Sequence, residues 1–254
     1  RVVTLLLLAL EHCDQLSTWP YIVLLPGFFI SAAALFAVER RQGWQLLDFR
    51  LLKGPAVIHG TWTGIIHRAL IQVDSVVLPL FLALRLGLNE AALGAVLLVG
   101  AAIRTVMAPL GGAFSDRVGR GPALRIGFGA VAVAYFILAY ANANESLGWT
   151  IVALAISAVG GSSLAPSAWS LVLNGTPPDR QGVVSGLYDT LRVVAAMAAV
   201  MVVSTSLQLE DGGAFSFSLV LYSIAALMTV AALICFCIPR DFSSAENEAA
   251  SRTA

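Results

Sequence analysis

The sequence predicts an all-α protein that crosses a membrane several times, and three observations predict it. Of 254 residues, 58% are hydrophobic and only 12% are charged, about half the charge of a typical water-facing domain. The apolar residues come in long continuous runs, and a helix needs about 20 of them to span the hydrocarbon of a bilayer. The charges gather between those runs, in short polar links. Lipid leaves every backbone polar group to be satisfied within the protein, so a spanning chain forms helices or a closed barrel. A barrel needs alternating strands of about ten residues, and these runs do not alternate.

Taken in order, the chain opens on an apolar stub, Val2 to Leu10, too short to span and without an initiator Met. The acidic stretch Glu11 to Trp19 has no small-residue cleavage site of the kind that ends a signal peptide. The expectation is a fragment that begins partway through a helix. Complete spans then follow at 19–38, 55–84, 91–112, 124–142, 149–171, 183–206 and 214–238. Turn and polar residues join them: Gly-Leu-Asn-Glu at 87–90, Asn-Ala-Asn-Glu-Ser at 142–146, Pro-Pro-Asp-Arg at 177–180 and Glu-Asp-Gly-Gly at 210–213. Links this short imply antiparallel neighbours. The small, polar tail 243–254 is expected to be disordered.

Basic residues orient a membrane chain, because they are retained on the cytoplasmic side. One set of alternate links carries Arg40, Arg41, Arg50, Lys53, Arg117, Arg120, Arg125, Arg180 and Arg240. The opposite set carries Arg85 alone, among Glu11, Asp14, Glu90, Glu145, Glu210 and Asp211. This asymmetry places the basic ends and the carboxy-terminus in the cytoplasm.

Between two spans stands Gly111-Gly112-Ala113-Phe114-Ser115-Asp116-Arg117-Val118-Gly119-Arg120. Gly112 can let two helices approach closely, and Gly119 permits a tight reversal. Asp116 can hold Arg117 or Arg120, or meet the positive end of a neighbouring helix. The stretch resembles the G-x-x-x-D-R-x-G-R signature of the major facilitator superfamily. That resemblance implies a cytoplasmic gate built from Gly112, Asp116, Arg117, Gly119 and Arg120; the bland alternative is an ordinary basic loop. Pro178-Asp179-Arg180-Gln181-Gly182-Val183-Val184-Ser185-Gly186 is similar to the family's P-x-x-R-G-x-x-S-G pattern, departing from it by the extra Gln181. Glu39-Arg40-Arg41 and Leu46-Leu47-Asp48-Phe49-Arg50 resemble the linker of its fourteen-helix drug:proton antiporter branch. The fold class implied is all-α integral membrane: a carboxy-terminal six-helix half of a major facilitator-type fold, preceded by a linking helix pair. Residues 1–38 would be the linking pair, 39–54 a cytoplasmic linker and 55–242 the half, made of two inverted triplets. A twelve-helix member also fits, with 1–38 as its fifth and sixth helices.

Ionisable residues at bilayer depth cost several kcal/mol and are functional hypotheses by default. His67 and Asp74 lie seven apart on one helix face, whereas Arg68 points elsewhere. Arg104 lies in the next span, eight residues before Gly112. Arg192 follows Asp189 by three and matches the family's Arg in that helix. Asp74 can exchange a proton with His67 or Arg104 as its switching partner, or it can form a static pair with Arg104. Asp189 and Arg192 are likewise either a coupling site or a structural pair. Tyr188 can line the cavity or anchor at the membrane interface. Gly160, Gly161 and Pro166 permit close packing and a bend.

The resemblance implies proton-coupled export of drug-like or other small organic compounds by alternating access, in a bacterial inner membrane. The partners implied are lipid, protons, the small-molecule substrate and the missing amino-terminal half. A permease for another substrate, or a non-transporting membrane sensor or scaffold, is the alternative. A channel would show a pore helix or a ring-forming filter, which this sequence lacks. An enzyme would need convergent His, Asp and Glu clusters, and three His with one Lys do not offer them. No cofactor is expected: the chain has no G-x-x-x-x-G-K-[ST] loop for ATP. Cys13, Cys235 and Cys237 do not form a metal framework. Zero net charge gives no reason to expect nucleic acid.

Overall fold

Proline and glycine punctuate the helices where the physics of helix ends requires them. The computed structural model describes residues 54–208 and 214–237, which belong to one unit, Phe49–Ala254. The expected linking pair, most of the linker and the tail, with Cys13 and Arg240, lie outside the described residues. Helix α1 (Pro55–Leu84) opens with Pro55 in its first turn, where a missing N–H costs nothing. Helix α2 (Glu90–Val118) is capped by Asn89, whose side chain accepts from the Ala92 amide at 2.9 Å. Glu90 in that first turn suits the positive helix end.

Gly119 ends α2 and starts α3 (Arg120–Ala143) with φ 93° and ψ 152°, a conformation that side-chain-bearing residues avoid. The tight reversal expected there is present. The span expected at 91–112 runs on to Val118, because Ala113 to Val118 continue the helix as far as that glycine.

The span expected at 149–171 is two helices, α4 (Leu147–Ser162) and α5 (Leu164–Asn174). They break at Ser163, between Gly161 and Pro166. Pro166 sits in the first turn of α5, where its ring meets no preceding turn. The Ser163 hydroxyl donates to the Gly160 carbonyl at 3.1 Å, occupying a freed acceptor. A short 3-10 turn (Pro178–Arg180) leads into α6 (Gln181–Gln208). Helix α7 (Ala214–Ile234) ends in a second such turn, Cys235–Cys237. The extra Gln181 reaches back to the Leu173 carbonyl at 3.2 Å, tying α6 to the end of α5.

Counting α4 with α5, six helices are long and apolar enough to cross a membrane, and no strand occurs among the described residues. Helix α3 is the most enclosed and packs on α7, α4 and α5. Helix α1 packs on α6 and α5, and α2 on α4. First thus meets second, second meets first, and third meets third across the triplets. It is the pairing that a two-fold exchange of inverted repeats would give. The symmetry is approximate, since α3 lies along α4 whereas α1 barely touches α7.

In lipid the apolar effect does not draw helices together, so close van der Waals fit must do it. Gly64 of α1 leaves the space into which Tyr188 of α6 inserts. Gly127 and Gly160 bring α3 against α4, where an added Cβ would meet opposing atoms at 2.6 Å. Large apolar residues such as Leu98, Val106, Met201 and Leu233 lie exposed on the outside, as lipid-facing surfaces require.

Candidate functional site

The α1 face that carries Leu70, Val77 and Phe81 into the core also carries His67 and Asp74. Both are buried. Asp74 Oδ2 pairs with Arg104 Nη2 from α2 at 3.0 Å, and Oδ1 accepts from the hydroxyl of Tyr135 in α3. Two neighbouring helices therefore hold one carboxylate. A buried charge is tolerated only when paired and hydrogen-bonded, and this clamp meets both conditions. Asp74 does not reach water at a helix end. The expected Arg104 pairing is present, while sequence reasoning missed Tyr135.

On one side of Asp74 a cavity of about 360 Å³ opens between α1, α2 and α4. Ile71, Ser75, Leu97, Gly100 and Arg104 contribute to its wall. The Arg104 side chain is 38% exposed against 8% for Asp74, so the cation faces the opening and the anion the packed interior. A far smaller space, about 10 Å³, lies on the other side, lined by Tyr135, Leu138, Ala153 and Ser157.

His67 makes no hydrogen bond with Asp74; its Nδ1 is buried without a partner among the described residues. Arg192 and Asp189 of α6 form a separate pair at 2.9 Å, with Asp189 mostly exposed. The Arg192 guanidinium lies over the Tyr188 ring, 4.8 Å from its centroid. Tyr188 is 1% exposed and packs on Trp169 with centroids 5.2 Å apart. It is a packing residue in the α1–α6 seam, not an interface anchor. The sequence-selected charges thus form two pairs, with His67 beside them.

The loop motif departs from its expected internal contacts. Asp116 and Arg117 are exposed, and neither forms an ion pair among the described residues. Arg120 turns instead to Asn174 at the end of α5. With its amide oxygen facing the guanidinium, Asn174 accepts from both terminal nitrogens, at 2.7 Å from Nη1. Close approach falls at Gly111, not Gly112. A Cβ on Gly111 would lie 2.5 Å from the Ser162 backbone, whereas one on Gly112 would meet nothing within 4 Å. The two glycines are one residue apart, so about 100° of helix rotation separates their faces. A buried hydroxyl pair, Ser115 with Ser167 at 2.7 Å, holds the same end of α2 to α5.

Polar knots close both ends of the bundle. Arg125 Nε of α3 donates to the Cys235 carbonyl after α7 at 2.9 Å. At the other end Arg85 donates to Asn142 and to Glu145, each at 3.0 Å. Asn142, fully buried, donates in turn to Ser218 of α7 at 2.8 Å.

The family model of the Major Facilitator Superfamily matches residues 4–200, well over half of the chain. The chain belongs to the major facilitator superfamily. The match begins far ahead of α1 and ends inside α6. A search of curated proteins finds no match. Membership makes this a multi-pass integral membrane protein and a transporter of that superfamily, whose members move solutes rather than catalyse reactions. Among the described residues no cluster of three or more His, Cys, Asp or Glu is placed to hold a metal ion.

Proposed function

We propose that this transporter is a proton-coupled exporter of small organic compounds that works by alternating access. A companion six-helix half would complete its cavity. The observation that carries the reading is Asp74, buried at the wall of the 360 Å³ cavity and held by Arg104 and Tyr135 from two other helices. Rocking α1 against α2 would lengthen the Asp74–Arg104 contact. A carboxylate left buried without its cation is relieved by taking a proton. Closing the contact again would expel that proton, so one movement would both open the cavity and exchange the proton.

The loop motif supplies the gate in this reading. Asp116 and Arg117 project from the basic end, free to latch onto a helix of the companion half. The basic end would face the cytoplasm, of bacterial origin on the antiporter reading. Helices α2 and α6 are the least buried of the bundle, and these would meet the companion half and lipid.

A second reading has its own support. Arg104 and Tyr135 satisfy both oxygens of Asp74, as in a static pair that serves only to bury a charge. The two separate in vesicles holding the full-length protein under an imposed pH gradient. The exchange reading expects Asp74→Asn to retain folding but lose proton-coupled efflux. Undiminished coupling in that variant leaves the static pair. Flux indifferent to the gradient in the wild type removes the antiporter reading.

A further inference from the structure

Away from the helix ends, the described spans carry three arginines (Arg68, Arg104 and Arg192) against two carboxylates, Asp74 and Asp189. The two carboxylates are taken by Arg104 and Arg192, each at 3.0 Å or less. Arg68 forms no ion pair among the described residues, although it is half-buried midway along α1. A guanidinium cannot give up its charge, and at bilayer depth an unbalanced one is costly. An anionic partner would relieve that cost.

The place where it would be met is defined by geometry. Arg68 precedes Ile71 by three residues and Ser75 by seven, so it shares their helix face, and both of those residues line the cavity that Arg104 enters. Thr61, a further seven residues back on the same face, is buried with its hydroxyl unpartnered. His67 is 6% exposed with Nδ1 unpartnered, and Arg192 Nε is unpartnered too. His67 also lies within electrostatic range of all three arginines, which come from α1, α2 and α6. Unsatisfied polar atoms and surplus positive charge therefore coincide in one stretch of the membrane interior. Buried polar atoms are nearly always satisfied, and such a group of exceptions marks the position of an absent partner.

We propose that this stretch is an anion subsite, and that the compound carried is an amphipathic organic anion whose carboxylate, sulfonate or phosphate is held by Arg68 with Arg104 beside it. The planar fork of a guanidinium can donate to two oxygens of such a group at once, which a lone ammonium does not. The apolar cavity wall from Ile71 to Leu97 takes the remainder of the molecule. The inference rests on the transporter reading and names its substrate class.

The test uses three fluorescent probes that share one apolar body: pyrenebutyrate, pyrenebutanol and a pyrenebutyl-trimethylammonium salt. Each is titrated into the full-length protein in liposomes. The anion is expected to bind about tenfold tighter than the neutral alcohol, the equivalent of one charge-assisted contact. The cation should bind more weakly than either. Arg68→Gln should abolish the preference for the anion, and Arg68→Lys should keep part of it. Equal affinity for the three probes, tighter binding of the cation, no anion binding, or an Arg68→Gln variant that still prefers the anion each overturns the proposal. The wild-type order alone decides it should a variant fail to fold. Probe binding needs no pH gradient, so its failure is separate from a failure of proton coupling at Asp74.

Discussion

Arg125, near the start of α3, closes the end of α7 by donating to the Cys235 carbonyl at 2.9 Å, while its guanidinium lies over Phe236 at 4.8 Å. The last carbonyls of a helix have no partner of their own and carry partial negative charge. A cation drawn from the basic side of the bundle supplies both hydrogen bonds and charge. A residue that the charge pattern marks only as a topology signal is therefore also a staple between α3 and the end of α7.

Replacing Arg125 by Met keeps most of the stem and removes the donors. A hydrogen bond from a charged group contributes about 1.5–3 kcal/mol, less where the site is partly exposed. Arg125→Met is expected to lower the melting temperature in detergent, and Arg125→Lys to lower it less. Exchange of the α7 amides, followed by mass spectrometry, should speed up before that of the α1 amides. Equal melting of all three proteins would remove the staple.

The two adjacent glycines of the motif should separate folding from gating. Gly111→Ala places a methyl 2.5 Å from the Ser162 backbone, and overpacking of this kind costs about 1–3 kcal/mol. Gly112→Ala meets nothing within the described bundle and should leave its melting within about 0.5 kcal/mol of wild type. A loss of transport in Gly112→Ala without loss of stability would then place its role in gating and not in the packing of the described bundle. Equal destabilisation by both substitutions would contradict the packing described for α2 and α4.

Hydropathy located the described spans, because a lipid-exposed helix must be apolar over its whole length. It set their ends less well: α2 gained the motif residues up to Val118, and α4 and α5 separated at Ser163. The two ion pairs were legible since Asp189 and Arg192 are three apart on one helix and Asp74 has few possible partners. Tyr135, Asn142 and Asn174 were not. Each finds its partner across a helix–helix contact, at Asp74, Arg85 and Arg120, and spacing within one helix carries no record of which helices become neighbours. The Gly111 contact escaped for the same reason: both glycines satisfy the motif, and only the position of α4 selects between them.

Gly119 gives the sharpest test of the turn. At φ 93° and ψ 152° it joins two transmembrane helices without an intervening loop. Any side chain there is strained by about 1–3 kcal/mol. Gly119→Ala and Gly119→Asn are both expected to destabilise the protein by that amount, since the tolerance of Asn for positive φ is confined to the left-handed helical region and ψ 152° lies outside it. Insertion of two further glycines after Gly119 should restore part of the stability by relaxing the reversal. A Gly119→Ala protein as stable as wild type would mean that the turn takes another shape.

The Asp74 clamp makes a prediction about additivity. Arg104→Gln leaves a buried carboxylate with only the Tyr135 hydroxyl, and Asp74→Asn leaves a guanidinium that its partial exposure can hydrate. The first should therefore destabilise more than the second. Removing both charges at once should cost less than the sum of the two, with a coupling of about 1–3 kcal/mol for residues in direct contact. Tyr135→Phe in the Asp74→Asn background should cost less than in the wild type, because the hydroxyl then faces a neutral amide. Thermal melts of the purified single and double variants measure all of these differences. Strict additivity between positions 74 and 104 would show that the pair stores no interaction energy, and a movement that parted them could not then drive proton exchange.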